Sequence, residues 1–172
     1  SWQRLTHLQT GGYFGGRFNE ENRFPDTNAL PKATYEQGLA DLLRCAPGER
    51  SHETARGYVV DRFGSTFAEH VFEPAAKKLY GVPLENLTAE ALGLFGLNRL
   101  IVATPEVSRE LKRVAHFDSR IAFHSSGEGI SGRTNYYPAR GGIGQWVRGL
   151  QQRLQAEGAA VYTGAQVASL DH

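Results

Sequence analysis

Sulfur is nearly missing from this chain: its 172 residues contain one cysteine, Cys45, and no methionine. A single thiol excludes a disulfide framework and any cysteine-rich zinc site. An excess of charge of one sign is also missing. Nineteen basic side chains face eighteen acidic ones, leaving a formal +1, so no global field draws the chain to nucleic acid or an anionic membrane. No apolar run approaches the roughly 20 residues of a membrane span, and no signal-peptide pattern opens the sequence. A cytoplasmic protein is the default expectation. Histidines 7, 52, 70, 116, 124 and 172 are scattered without H-x-x-x-H or H-E-x-x-H spacing, so no metal site is expected. No G-x-S-x-G elbow exists, and Cys45 has no motif-level partner.

The chain opens on Ser1 and stops at Leu170-Asp171-His172, directly after strand-like residues. On that pattern a piece of a larger protein is expected. Fifteen of the nineteen basic residues are arginine, a bias that either codon usage or recognition of phosphate and carboxylate would produce.

What is present divides by periodicity. Residues 1–33 interleave the breakers Gly11-Gly12, Gly15-Gly16, Asn19, Asn22, Pro25, Asp26, Asn28 and Pro31 with the aromatics Tyr13-Phe14 and Phe24, a loop-rich hairpin pattern. Thr34 then caps a helix through Leu39, Leu42 and Leu43, closed by Pro47-Gly48. Ser51 caps a second that stops at Gly64. Ser65 opens a third, with Phe67, Val71, Ala75 and Leu79 on one face and a kink expected at Pro74. Thr88 caps a fourth, with Leu87 stapled onto Leu92. Thr104-Pro105-Glu106 starts a fifth, carrying Val107, Leu111 and Val114 on one side. Strands are expected at 120–124 and 134–137, a last helix over about 143–157, and closing strands at 159–163 and 166–170. The fold class is α+β: a central helical block flanked by short β-hairpins, with a C-terminal helix–strand unit. Residues 1–140 and 141–172 form the two expected regions.

Gly127-Glu128-Gly129-Ile130-Ser131-Gly132 matches G-x-G-x-x-G, but Arg133–Tyr137 reads extended where a dinucleotide site needs a helix. It is expected to be a hairpin loop. Gly141-Gly142-Ile143-Gly144 does precede a helix. Its N–H groups either hold an anion, with Arg140 beside them, or the turn serves close packing of helix and strand. Glu20-Glu21 reads as a solvated pair. If the hairpins share one sheet, Tyr13, Phe14, Phe18, Phe24, Tyr136, Tyr137 and Trp146 either wall a ligand pocket or form the core of that sheet.

Two segments carry a resemblance. The run Tyr136-Tyr137-Pro138-Ala139-Arg140-Gly141-Gly142-Ile143-Gly144-Gln145, its helix with Leu150 and Leu154, Gly158, and the strand ending Val167-Ala168-Ser169-Leu170 resemble a stretch of the flavin-dependent amine oxidase superfamily. Phe63-Gly64-Ser65-Thr66-Phe67 and Phe72-Glu73-Pro74-Ala75-Ala76-Lys77-Lys78-Leu79-Tyr80-Gly81-Val82-Pro83 are similar to the helical domain of its protoporphyrinogen oxidase-like and UDP-galactopyranose mutase-like branch. The resemblance implies an internal region of an FAD enzyme: residues 1–140 on the substrate side (the cap), and 141–172 returning to a Rossmann FAD-binding domain carried elsewhere in the polypeptide. It implies that Val167 meets the FAD adenine through its backbone, that Gly141 and Gly142 are cofactor-binding, and that the isolated segment does not hold FAD. In the mutases a Pro-Tyr-Thr-x-Lys-x-Trp-Gly run helps bind the nucleotide sugar. Here Pro74, Lys78 and Gly81 match, Ala75 replaces the Tyr and Tyr80 the Trp. Alanine supplies neither ring stacking nor a phenol hydrogen bond, so Lys78 and Tyr80 are the remaining substrate candidates, and Tyr80 either stacks on a ring or packs in the core.

Three functions are therefore carried forward. One is the cap of an FAD-dependent oxidoreductase acting on a small molecule. A second is a mutase-like flavoenzyme of cell-envelope polysaccharide synthesis. The last is a freestanding, non-catalytic binding module. The expected partners are a small-molecule substrate and the rest of the polypeptide, with self-association of the exposed apolar face as an alternative.

Overall fold

The computed structural model describes residues 1–5, 10–46, 51–94, 96, 98–125, 127–128 and 135–169. In chain order the elements are β1 (Trp2–Leu5), β2 (Gly12–Phe14), β3 (Arg17–Asn19), α1 (Lys32–Arg44), α2 (Ala55–Phe67), a π-helical segment (Ala68–Phe72), α3 (Glu73–Tyr80), α4 (Ala91–Leu94), α5 (Pro105–Leu111), α6 (Ala115–Asp118), β4 (Asn135–Pro138) and α7 (Gly144–Ala156). The fold is mixed α and β, with two small antiparallel two-stranded sheets. The chain divides into two compact units, one made of residues 1–8 and 132–172, the other of residues 9–131.

The unit 9–131 begins with the hairpin β2–β3, in which Tyr13 faces Phe18. Its turn is Gly15-Gly16, with φ of 56° and 80°. A two-residue hairpin turn needs two consecutive left-handed residues, which glycine adopts without a Cβ clash. Helix α1 starts at Lys32 after Pro31, with no side-chain cap, two residues before the expected Thr34 cap. Thr54, rather than Ser51, caps α2: its Oγ1 accepts the Gly57 N–H at 3.2 Å. The closing Pro47-Gly48 lies outside the described residues. Thr104 caps α5 as expected, with Pro105 in its first turn and Oγ1 accepting the Val107 N–H.

Gly64 interrupts the helical path where the sequence places a stop. Its φ of 82° and ψ of 165° are not helical, and a Cβ there would lie 2.3 Å from Asp41 Cβ. That closeness lets α1 cap the helix that resumes. Asp41 Oδ2 accepts from the Thr66 N–H (3.3 Å), the Thr66 hydroxyl (2.6 Å) and the Ser65 hydroxyl (3.4 Å). The expected cap was Ser65 itself; the capping oxygen comes instead from the neighbouring helix.

The kink expected at Pro74 takes another form. Proline offers no N–H, and its ring crowds the carbonyl four residues back. The chain responds one turn earlier by widening to π geometry over 68–72, where the Glu73 N–H donates to Ala68 O. One residue is thereby added to the turn, and the buried face rotates. Val59, Phe63 and Phe67 are buried at steps of four; the next two in line are Phe72 and Ala76. The expected face through Ala75 and Leu79 is displaced, leaving Ala75 half-buried and Leu79 exposed. Around this axis Leu42, Val71, Leu84, Leu92, Leu100, Val102 and Ile121 complete the core. Leu87 packs against it.

The expected second hairpin, 120–124 with 134–137, does not form. Ile121 bridges Leu100 in parallel, and Ile101 bridges Asp26. The backbone of this buried β-branched segment is paired by those neighbours, through Leu100 N–H to Arg120 O and Ala122 N–H to Leu100 O. The G-x-G-x-x-G loop lies largely outside the described residues. In the other unit, β4 pairs antiparallel with β1, placing Gln3 opposite Tyr137. Helix α7 follows and ends at Gly158, with φ of 84°. Its stripe Trp146, Val147, Leu150 and Leu154 is exposed. The closing strands are not formed over the described residues 159–169, because an extended segment becomes a strand only when a neighbour pairs its backbone. Leu170 lies outside the described residues. Among the described residues no helix is long and apolar enough to cross a membrane.

Asp41→Ala is expected to cost about 1–2 kcal/mol of stability, the usual value of a lost cap, measured by urea denaturation. The Thr66 hydroxyl first of all, with Gln37 and Ser65, holds the Asp41 carboxyl below its ordinary range. A depressed carboxylate contributes stability that is present above pH about 4 and lost as pH falls through the folded value. Asp41→Asn should flatten that acid limb.

Candidate functional site

Two buried cations fix the segment that leads to the site. Arg120 is 2% exposed. Its Nε donates to Arg62 O (2.9 Å), Nη1 to His116 O (2.6 Å) and to His116 Nδ1 (3.0 Å), and Nη2 to Ala46 O (3.4 Å). Lys112 Nζ donates to Asp118 O (3.1 Å), Asp118 Oδ1 (2.6 Å) and Ile121 O (2.9 Å), and lies 4.5 Å from the Phe123 ring centroid. The backbone from 116 to 123 is thus tied to α1, α2 and α5 without a bend of its own choosing. Asn22 Nδ2 then donates to Phe123 O at 2.7 Å, fastening the loop after β3 to the residue before His124.

Where these segments meet lies a cleft of about 380 Å³. Phe14, Phe18 and Phe24 supply ring surface, and Gly12, Asn19 and His124 supply small or neutral polar surface. Arg17, Glu20, Glu21 and Asp26 add three carboxylates against one guanidinium, a negative rim. The loop is self-braced: Asn19 Oδ1 accepts the Glu21 N–H (2.9 Å) and Asn22 N–H (3.2 Å), and Asp26 Oδ1 accepts the Asn28 N–H (3.0 Å) and Nδ2 (2.7 Å). His124 Nε2 donates to Ala103 O. Flat apolar walls with a few fixed polar groups are the usual character of a small-molecule pocket. A second hollow, about 530 Å³ and more open, runs along α5 past Val107, Leu111 and Val114.

The aromatic residues singled out in the sequence separate. Phe14, Phe18 and Phe24 share the cleft, whereas Tyr136, Tyr137 and Trp146 belong to the unit of β1, β4 and α7. They do not form one sheet core; the core is helical. Tyr80 is half-buried against that core, and its hydroxyl donates to Ala91 O. Burial raises its pKa. Lys78 lies exposed on α3, and neither residue is among those lining the cleft. Gly141 and Gly142 are left-handed, with φ of 72° and 64°. They precede α7, which has neither a side-chain cap nor an acid in its first turn. Val167 is 72% exposed. His124 and Asp26 carried no signal in the sequence beyond their letters, because the cleft gathers them from segments about a hundred residues apart. Among the described residues no His/Cys/Asp/Glu group could hold a metal ion.

No family model matches the chain, and no curated protein matches it. A solved structure does: crystalline reduced UDP-galactopyranose mutase is similar with a TM-score of 0.56, over 96% of this chain and 33% of that one. The likeness is one of fold. Identity is 18%, and the chain spans about a third of the length of that neighbour.

Arg120→Ala would take the guanidinium from the carbonyls of Arg62, His116 and Ala46, leaving His116 O only the Ser119 hydroxyl, and a loss of about 3 kcal/mol is expected, read by denaturant titration. Burial, then Arg120 and Arg62, hold the His116 pKa below its ordinary value. A histidine depressed in the folded state favours unfolding as pH falls below about 6.5, where the unfolded chain takes up the proton first. His116→Gln should remove that part of the stability loss between pH 7 and 5.

Proposed function

We propose that this chain is the substrate-side region of an FAD-dependent oxidoreductase of the amine oxidase superfamily. The observation that carries the proposal is the fold match across nearly its whole length to one third of a UDP-galactopyranose mutase. In this reading residues 1–140 form the cap, and 141–172 return to an FAD-binding domain supplied by the rest of the polypeptide. The ring-walled cleft under β2–β3 is its substrate pocket. The exposed stripe of α7 is the face that meets the FAD-binding domain, which accounts for large apolar side chains left in water.

The residues present fit FAD at its edge. Two left-handed glycines before an uncapped 13-residue helix offer backbone N–H groups and a positive helix end to an anionic or polar ligand atom. Gly141 and Gly142 would hold that edge, and the exposed extended backbone at Val167 would meet the adenine. Bound flavin supplies two-electron exchange with a substrate. What this chain contributes is orientation: Phe14, Phe18 and Phe24 exclude water from one side of the substrate, and Asn19 and His124 offer directed polar contacts.

The identity of the structural neighbour favours a second reading, a mutase-like enzyme that binds a nucleotide sugar, with Lys78 and Tyr80 as substrate contacts. Against it stand Ala75 in place of the ring-bearing residue, and a cleft rim whose three carboxylates outnumber its one guanidinium, a poor match for a diphosphate.

Full-length protein should purify with the yellow absorbance of flavin, and its absence would remove both flavoenzyme readings. Bleaching of that absorbance by a substrate in the absence of an external reductant is the oxidoreductase outcome. Turnover only after prior reduction of the flavin, without net consumption of reductant, is the mutase outcome. Under the mutase reading Tyr80→Ala should weaken nucleotide-sugar affinity about tenfold, the scale of one lost ring contact. Unchanged affinity in a folded variant would take Tyr80 off the site.

A further inference from the structure

We infer that Asn22 is the positioning residue of the cleft: it holds the ring-bearing wall against the wall that carries His124, and the cleft opens when its bond to the Phe123 carbonyl breaks. The inference rests on the cleft being the substrate pocket. Every lining residue except His124 comes from the stretch 12–26, so the width of the cleft is the separation between that stretch and residues 123–124. Asn22 is not among the lining residues, yet it is 4% exposed and bonds in three directions. Its N–H donates to Asn19 Oδ1 (3.2 Å), its Oδ1 accepts the Phe24 N–H (3.1 Å), and its Nδ2 donates to Phe123 O (2.7 Å). The first two bonds lie inside the wall, and the last crosses to the other side. A carbonyl only accepts and an N–H only donates, so both ends of the amide are assigned by their partners. Aspartate would lack the donor, and leucine would lack donor and acceptor alike.

The ring-bearing wall is braced as one piece. Asn19 Oδ1 also accepts the Glu21 N–H at 2.9 Å, and the hairpin lies so close to the loop that a Cβ on Gly12 would sit 2.8 Å from Arg23 O. Past the loop the chain is bonded to the helical body: the Ile101 N–H donates to Pro25 O (3.0 Å) and the Thr27 N–H to Ile101 O (2.9 Å). The opposite wall is anchored independently. The Ala122 N–H donates to Leu100 O (2.8 Å), and Lys112 Nζ donates to Ile121 O while lying 4.5 Å from the Phe123 ring centroid. Between the two walls, the bond from Asn22 to Phe123 O joins residues 101 apart in sequence. Phe14 adds apolar contact with the core, but such contact has no direction, whereas a short hydrogen bond fixes distance and angle. On opening, water takes over both the amide and the carbonyl. The bond then counts only for its net value, and the wall parts locally while the helices stay folded.

Asn22→Asp isolates the crossing bond, since it keeps an oxygen for the Phe24 N–H and removes the donor to Phe123 O. Full-length wild type and variant are labelled with 4-fluorophenylalanine. Fluorine NMR then follows Phe14 and Phe24 in the wall beside Phe63, Phe67 and Phe72 in the helical core. In the variant the wall signals should move and gain solvent isotope shift while the core signals stay. A residue that merely supported stability would leave the native-state rings where they are. Amide exchange should show the Phe24 N–H opening about tenfold more often in the variant, the scale of one hydrogen bond, with the α2 amides unchanged. Unmoved wall rings in a folded variant, or a shift shared by all the labelled rings, would overturn the inference. Should the variant fail to fold, the wild type decides. Its Phe24 N–H should exchange faster than the α2 amides, through opening of the wall alone, and exchange at their rate would overturn the inference equally. Neither readout involves flavin or substrate. A wall freed by Asn22→Asp in a flavin-free protein would discard the flavoprotein reading and keep the positioning role, whereas a flavin-bearing protein with an unmoved wall would do the reverse.

Discussion

A guanidinium sealed inside the helical unit sets the terms for much of what surrounds it. Among the described residues no carboxylate is hydrogen-bonded to Arg120; it is solvated by three backbone carbonyls and an imidazole. A buried cation is tolerated only where such acceptors converge, so the end of α1, the middle of α2 and the turn of α6 must arrive together or not at all. Nearby, Arg62 reaches Ser119 O at 2.9 Å and lies over the Tyr58 ring. The two arginines thus replace, with directed bonds, what short helices such as α5 and α6 cannot supply through their own length.

The fold class, the existence of the main helices and the start of α5 at Thr104 were legible because they depend on local chemistry. Thr104-Pro105, the Gly15-Gly16 turn and the stop at Gly64 each express a backbone requirement of one or two residues. What escaped was set by neighbours. The cap of the resumed helix is Asp41, over twenty residues away. The buried face beyond residue 67 slips by one because a proline is answered by a wide turn, and no count of spacings shows where an inserted residue will fall. Strand partners were the hardest part. The pairing of β1 with β4 joins segments far apart in sequence (Trp2 with Pro138 through Leu5 with Asn135), a choice that short aromatic strands do not announce in their own sequence.

The candidate site divides in the same way. Aromatic side chains near the first hairpin were recognisable as wall material, and three of them do line a cleft. Its polar members were not recognisable, because His124 acquires its chemistry from Ala103, and Ala103 is placed by residues of α1 and α5. The glycines at 141 and 142 behave as the turn before a helix that their letters imply, whereas the role of Tyr80 changes once its hydroxyl is seen bound to the backbone of α4.

The pairing of Leu5 with Asn135 has an architectural consequence. Paired strands lie about 5 Å apart, so the chain leaves the first unit and returns to it at almost the same point. In sequence the unit of residues 9–131 is thus an insertion between the two strands of that pair, and insertions of whole domains are tolerated where the flanking chain ends lie close together. A change in the length of the helical body would leave the register of Trp2–Leu5 with Asn135–Pro138 untouched, because none of its residues takes part in that pairing.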